Sequence, residues 1–500
     1  MDRAAVNPDA WPRWSHIVLL VLLTLVVFFW QGYHPHADDA ALYVAGIEHL
    51  LSPHLFSAQD LPYIEPQTKV SVLGPLLADL VRTTGIRLEW ALVGFQLLAT
   101  GGLLYAVRRL ALDLFGSQKA GWLAAGLAAG AFTIPIAGTA LFVMDPYVTA
   151  RTASAPLSLL MVVMLVERRW LWMMLFAALT LAFHPIMGGC ALLFAVTWLL
   201  YTREGGPRWW VLGALAALLL GAMLWIIAHD ALRYNVDYRS VVLTRTYMFL
   251  PLWAWFEYIG LIAPLLLCGA LMRSRTLRPA VRSLCATIFL LGAWIAFCSW
   301  LLVRPDGSML LARLQILRVF HLIYLVGIVL IGGWLAEIRS WYRWVFFAVF
   351  LGGSAVGTRL MQQDTFEGRP SVELPTTEVS SPWHQAFLWI GRNTPQNAIL
   401  AADPNLMELH GEGHEGLRVT AERSVLGGNK DGGVVALKPE LTAFWTAQFR
   451  AQRRLAAESD AERRAELKPF GVSWLLLPAQ SKTGLDCPYR NVLLQVCRLP

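Results

Sequence analysis

The stretch "IVLLVLLTLVVFFWQGYHPHADDAALY", residues 17–43, decides how the rest of this chain is read. Residues 17–30 form one apolar run, short enough to resemble the core of a signal peptide. However, "QGYHPH" offers no small-x-small cleavage site, and many further apolar runs follow. The run therefore reads as an uncleaved first membrane helix. Directly behind it, Asp38 and Asp39 stand side by side, close to the lipid boundary.

Composition sets the class. The 500 residues are 56% hydrophobic and 15% charged, with 22 tryptophans, and the mean hydropathy is +0.51. Soluble chains carry about a quarter charged residues, so most of this one belongs in lipid. The net charge of +7 does not indicate nucleic acid, because Lys and Arg sit in short loops between apolar runs and form no patch.

Judged against the ~20 residues that cross a bilayer, about eleven spans are expected. They lie near 17–31, 88–107, 120–141, 152–166, 170–184, 186–201, 209–228, 250–271, 284–302, 315–335 and 341–359. With the N-terminus inside, the inner segments are residues 1–16, "RRLALDLFGSQK", "ERRW", "YTREGGPR", "MRSRTLRPAVRS" and "EIRSWYR". These hold 15 Lys and Arg in about 65 residues, against 10 in about 110 outside, the positive-inside bias. The expected architecture is a polytopic all-α membrane domain, residues 1–360, with a long first outer loop at 31–87.

An odd number of spans leaves residues 361–500 outside, where 15 basic and 16 acidic residues give a soluble balance. "SPWHQAFLWIGRNTP" has a Ser N-cap, Pro at N1 and a Pro stop, and reads as a helix. "NAILAADP", "LRVTAERSVL", "VSWLLLPAQ" and "VLLQVCRL" read as strands, with "ELTAFWTAQFRAQRRLAAES" a helix between the second and third. This is the pattern of a small α/β domain. Cys190, Cys268, Cys285 and Cys298 fall in or beside spans as small hydrophobes. Cys487 and Cys497 fall in the outer domain, and would pair in an oxidising periplasm.

The polar residues of the outer segments are the candidate site. Asp38 and Asp39 read either as an N-cap for "AALYVAGIEHLL" or as a pair whose repulsion raises one pKa into the range of a general base. Asp145 in "FVMDPYVTAR" has the same two readings, since Asp before Pro is also an N-cap sequence. His184, in "AFHPIMGG", lies at a third outer turn. Arg233, Arg239 and Arg245 share a Tyr-rich segment. Arg313 and Arg318 mark the outer end of the tenth span, with His321 on the same face as Arg318. A charge at that depth either snorkels or faces a polar cavity. Arginines opposite carboxylates suit an anionic, lipid-borne substrate. The Gly-rich loop "SVLGGNKDGG", 424–433, reads as a rim of that cavity.

A first span ending in an acidic pair and a Tyr ("HADDAALY"), a long first outer loop, an Asp at the second outer turn ("MDPYVTAR") and an outer C-terminal domain resemble the GT-C superfamily of integral-membrane glycosyltransferases. "HPIMGG", "LQILR" and "WIGRNTPQNAIL" are similar to uncharacterised bacterial members. The family's pair is usually Asp-Glu; here it is Asp-Asp. The resemblance implies sugar transfer, with inversion, from a polyprenyl-phosphate donor to a hydroxyl of an envelope lipid, glycan or protein, at the outer face of a bacterial inner membrane. It maps the general base to Asp38, with Asp39 tuning its pKa or binding the acceptor. Arg313 and Arg318 are then the groups for the lipid phosphate, Arg239 a further one, and Asp145 and His184 line the cavity. Some members use a divalent metal and others do not. Asp39, Glu65 and Asp145 are the oxygen donors available for one, with no spacing that demands it. The rival classes are a transporter or lipid flippase and a non-catalytic scaffold with an outer binding domain. Against transport, there are no matching halves and no midplane polar cluster.

Overall fold

A computed structural model describes residues 13–202, 209–232, 235–408 and 415–500. Most of the N-terminal inner segment, most of "YTREGGPR", and Arg233 lie outside these. The chain is a mostly helical membrane protein with a small C-terminal sheet. Among the described residues, seven stretches are long and apolar enough to cross a membrane: Trp14–Gln31, Leu88–Phe115, Pro185–Thr202, Trp209–Ala228, Pro279–Leu302, Met309–Glu337 and Ser340–Thr365.

The helices in chain order begin with α1 (Arg13–Gln31), α2 (Ala40–Leu51), α3 (Leu61–Val70), α4 (Leu73–Thr84), α5 (Leu88–Phe115) and α6 (Gln118–Ala131). There follow α7 (Ala150–Val166), α8 (Trp170–Phe183), α9 (Pro185–Thr202), α10 (Trp209–Ala228), α11 (Val236–Leu243) and α12 (Trp255–Leu271). Then come α13 (Pro279–Leu302), α14 (Met309–Ala312), α15 (Val319–Glu337) and α16 (Ser340–Thr365).

A helix stands in each of the eleven expected spans, but four fall short of a bilayer. These are α6 and α8 at 14 residues and α7 and α12 at 17. The third span was expected to run to 141, yet its helix ends at Ala131. Pro135 removes a donor, and Ala137 and Ala140 take left-handed backbone. Residues 132–149 instead form an irregular segment across the ends of the bundle. Irregular backbone at membrane depth is stable only where protein or a water-filled cavity covers it.

α5, α6, α7, α9, α13 and α15 enclose the main apolar core. α15 crosses α6 and the end of α5 at very close range: a Cβ on Gly332 would overlap Ala124 of α6, and one on Gly333 would overlap the Phe115 ring of α5. Small residues let helices approach where lipid supplies no hydrophobic drive. Conversely, α10 buries only Met223 and leaves Trp210 and Leu218 bare, as a lipid-facing helix does.

The segment between α1 and α5 is not a loose loop. α2, α3 and α4 pack Ile47, Ile64, Leu73 and Leu77 against Phe28 and Leu92 of the flanking helices and Val419 of the C-terminal domain. That domain continues with α17 (Pro382–Asn393), α18 (Leu417–Ala421), α19 (Gly432–Leu437), α20 (Thr442–Gln452) and α21 (Asp460–Leu467). Its strands are β1 (Ile399–Ala401), β2 (Ser424–Val425), β3 (Trp474–Pro478), β4 (Tyr489–Arg490) and β5 (Leu494–Arg498), in the order β2-β1-β3-β5-β4. β1 is parallel to β2 and β3, and β5 is antiparallel to β3 and β4. Both faces are covered. Trp474 and Leu476 meet Phe387 and Ile390 of α17, while Leu475 and Leu477 meet Ala451, Leu455 and Leu467.

One expected strand is corrected. The first half of "LRVTAERSVL" is the short helix α18, and only Ser424–Val425 pair in the sheet. Its apolar residues at every second position suit a strand, but short apolar runs do not separate strand from helix by period alone. Cys487 and Cys497 are joined by a disulfide, and Cys190, Cys268, Cys285 and Cys298 are free.

Candidate functional site

The site begins where α1 ends. Gly32 turns the chain with φ +91, and Gln362 of α16 donates to the Gln31 carbonyl at 2.8 Å. The His34 amide bonds the Pro146 carbonyl at 2.8 Å, which brings the segment after α1 against the irregular segment before α7. Asp38 takes left-handed backbone, φ +49, a conformation costly for a residue with a Cβ. Asp39 occupies the N-cap position of α2 but has helical backbone and makes no side-chain cap bond. The capping reading therefore fails for Asp39. Asp38 is turned away from the helix too, because its carboxylate is bound elsewhere.

Tyr147 donates its hydroxyl to Asp38 Oδ2 at 2.6 Å, and Arg151 donates Nη1 to Asp39 Oδ2 at 2.8 Å. Lys430 Nζ contacts Asp38 Oδ1 and lies 3.3 Å from Asp39 Oδ1. Arg151 also grips Asp145 through Nε at 3.1 Å and Nη2 at 3.0 Å. Asp145 is thus no cap: α7 is capped by Thr149 with Thr152, and Asp145 serves as the anchor of Arg151. Asp38 and Asp39 keep 35% and 32% of their side chains exposed, whereas Asp145 is buried.

The electrostatics follow from these contacts. Partial burial works to raise Asp39, but Arg151, with Arg318 and Arg245 behind it, outweighs that and holds it below the usual aspartate range. Burial dominates at Asp145 and raises it despite Arg151. Burial also pushes the Lys430 ammonium down to about 8, which leaves it mostly charged at neutral pH between two carboxylates.

Two further arginines approach without a carboxylate partner among the described residues. Arg318 Nη1 lies 3.4 Å from His184 Nε2, and its buried Nε has no bond. Arg245 donates to the backbone and to the side-chain oxygen of Asn429, the latter at 3.0 Å, and its Nε is likewise unbonded. Around the pair stand three carboxylates (Asp38, Asp39, Asp145) and four cations (Arg151, Lys430, Arg318, Arg245). The excess of positive charge and the unfilled arginine donors favour an anion in this space. A cavity between α2 and the segments after β1 and β2 adjoins Lys430, lined by Ala41, Leu42, Asp403, Asn429 and Gln452.

The remaining residues singled out in the sequence lie elsewhere. Glu65 pairs with Lys69 on α3. Arg313 donates to the Leu437 carbonyl of the C-terminal domain. Arg239 is half-buried on α11, with no bond to the acidic pair. His321 bonds the Val143 carbonyl at 3.2 Å. Among the described residues no group of three or more His, Cys, Asp or Glu could hold a metal ion. Asp39 and Asp145 share the Arg151 guanidinium instead of a metal ion, and Glu65 does not join them, so this donor set does not fit a divalent metal.

Sequence reasoning missed Tyr147, Arg151 and Lys430. Arg151 carried a signal, an Arg six residues after an Asp-Pro turn, inside a stretch that was itself conspicuous. Lys430 carried only its place in "GGNKDGG". No protein-family model matches this chain, and no curated protein is similar to it.

Proposed function

We propose that this protein is a membrane glycosyltransferase of the GT-C type, moving a sugar from a polyprenyl-phosphate donor to an acceptor hydroxyl. The observation that carries the reading is the acidic pair at the end of α1, partly open and set among more cations than it neutralises. In the reaction the acceptor oxygen attacks the anomeric carbon as Asp38 takes its proton. The bond from that carbon to the phosphate oxygen breaks on the opposite side, with inversion. The departing lipid phosphate is left with Arg318 and Arg245, whose free donors stabilise its charge. Arg151, anchored by Asp145, keeps Asp39 ionised beside the base.

The topology proposed with this activity has eleven crossings, the shorter helices included. The N-terminus is then cytoplasmic and the C-terminal domain periplasmic, in a bacterial inner membrane. The polyprenyl tail lies in lipid, which explains why the carboxylates stand at the boundary and not in the soluble domain. The acceptor belongs to the cell envelope: a lipid, a glycan or a protein.

The test compares wild type with Asp38→Asn, at equal melting temperature, in proteoliposomes supplied with a panel of labelled polyprenyl-phosphate sugars. Transfer by wild type that falls about 10²–10⁴-fold in the variant is expected for loss of a general base. Equal transfer by both removes Asp38 from the role. Movement of labelled lipid between leaflets with no sugar transferred would instead make the protein a flippase.

A further inference from the structure

Both oxygens of Asp38 are occupied, Oδ2 by Tyr147 and Oδ1 by Lys430. A base whose two oxygens each already hold a donor is a weaker proton acceptor than one relieved of a partner, because each contact stabilises the carboxylate form. Tyr147 is buried in a turn held by Thr152, whose hydroxyl donates to the Tyr147 carbonyl at 3.1 Å, and by the bond from His34 to Pro146. Lys430 projects from a Gly-rich loop as a flexible four-carbon chain beside the cavity, with 19% of its surface open. The backbone under it is pinned on both sides. Arg245 holds Asn429, whose amide bonds the Pro404 carbonyl, and Arg418 holds Asp431. The loop thus delivers the ammonium to one place while leaving the side chain able to swing.

We propose that Lys430 is a positioning residue of this site: it keeps Asp38 ionised beside Asp39, and its side chain yields Oδ1 to the acceptor hydroxyl. The inference deepens the glycosyltransferase reading and rests on Asp38 as its base. It makes the soluble domain part of the reactive centre, because the ammonium that lets two adjacent carboxylates stay charged comes from that domain. The acceptor then enters from the cavity at the carboxyl ends of β1 and β2, the side from which Lys430 comes.

The charged and titratable groups facing the pair are Tyr147, Asp145, Arg151, Tyr43, Arg318 and Arg245, besides Lys430. Arg151 bonds Asp39 and not Asp38, so among the described residues Lys430 is the cation in contact with Asp38. Removing it takes a positive charge from the Asp38 carboxylate, raises its pKa, and enlarges the protonated fraction at a given pH.

That change is measurable without a substrate. A hydrophobic carbodiimide modifies protonated carboxyls, and peptide mass spectrometry reads each aspartate of the full-length protein in detergent. Lys430→Met is expected to raise Asp38 modification at pH 7 about tenfold or more. Asp39, which keeps Arg151, changes less, Asp60 stays constant, and Lys430→Arg returns Asp38 to the wild-type rate. A rise shared by Asp38, Asp39 and Asp60 means the domain has opened, and overturns the proposal. So does an unchanged Asp38 profile. A Lys430 effect on labelling with no sugar transferred would leave this ionic arrangement standing and remove the transferase reading alone. Transfer with no Lys430 effect would do the reverse.

Discussion

Two kinds of charge cluster, one buried and one partly open, bind the segment after α1 to the C-terminal domain, and they differ in what they leave unused. In one, Arg418 donates Nε to Asp60 at 2.7 Å and Nη1 and Nη2 to Asp431 at 3.0 and 3.2 Å, and lies over the Tyr63 ring. Asp60 also accepts from Ser57 and the Val425 amide, and Asp431 from the Gly428 amide. Every nitrogen of that guanidinium has a partner. At the acidic pair the ingredients are the same, but Asp38 sits in left-handed backbone, and Arg318 and Arg245 each keep an unbonded Nε. A saturated cluster holds two pieces together. A cluster with unfilled donors, strain and an opening is built to take something else.

The hardest way to break that contrast is Arg418→Leu. It leaves Asp60 and Asp431 buried without their cation, a loss of about 3–5 kcal/mol for a broken buried pair. The expected outcome is a large drop in the melting temperature of the full chain in detergent, with faster proteolysis within 424–433. Because Asp431 follows Lys430, the same variant is expected to free Asp38 for carbodiimide. An unchanged melting temperature would mean that the saturated cluster does not hold the domain.

A second junction sharpens the comparison through pH. Glu415 is buried and accepts from His384 and from the Thr420 hydroxyl, each at 2.7 Å, with Arg369 4.0 Å away. Burial opposes its charge, but Arg369, His384 and Thr420 outweigh burial and hold it down to about 2, against 4.5 unperturbed. A carboxylate depressed in the folded state adds stability above its unfolded pKa and loses it as pH falls through the folded value. The window is therefore about pH 4.5 down to about 2, and the loss is roughly 3 kcal/mol across it. Denaturant unfolding of wild type and Glu415→Gln at pH 6 and pH 3 isolates this group. The gap between the two proteins is expected to narrow at pH 3, and a constant gap would show that Glu415 carries no excess charge stabilisation.

How far the sequence reaches is set by how local each feature is. The apolar runs, the switch to a balanced composition near residue 361 and the helix over 382–393 all express nearest-neighbour chemistry, and a helix stands in each of those runs. The length of α6 was illegible, because Pro135 ends the helix inside a run that is still apolar. Lys430 was illegible for a stronger reason. Its contact with Asp38 exists only once the C-terminal domain docks, and nothing near Lys430 in the chain reports on that. Arg239 and Arg313 show the converse error: charge and aromatic neighbours marked the right segments, but in the first of these the fold turned Arg245 to the site and left Arg239 on α11.

The smallest expected effect is the one that checks the geometry most cheaply. Six carboxylates lie between α1 and α5, Glu65 among them, and by residue type alone nothing separates it from Asp38. In the fold it pairs with Lys69 one turn away, with side chains 32% and 67% exposed, an arrangement worth about 0.3–0.5 kcal/mol. Glu65→Gln is therefore expected to move the unfolding free energy by no more than about 0.5 kcal/mol and to leave the carbodiimide profile of Asp38 where it was. Were Glu65→Gln to shift Asp38 as Lys430→Met does, α3 would have to reach the acidic pair. The distinction between carboxylates that belong to the centre and those that merely share its segment would then collapse. The same variant assayed for sugar transfer carries the argument one step on. A metal held by Asp39, Glu65 and Asp145 requires Glu65, whereas a centre neutralised by Arg151 and Lys430 does not.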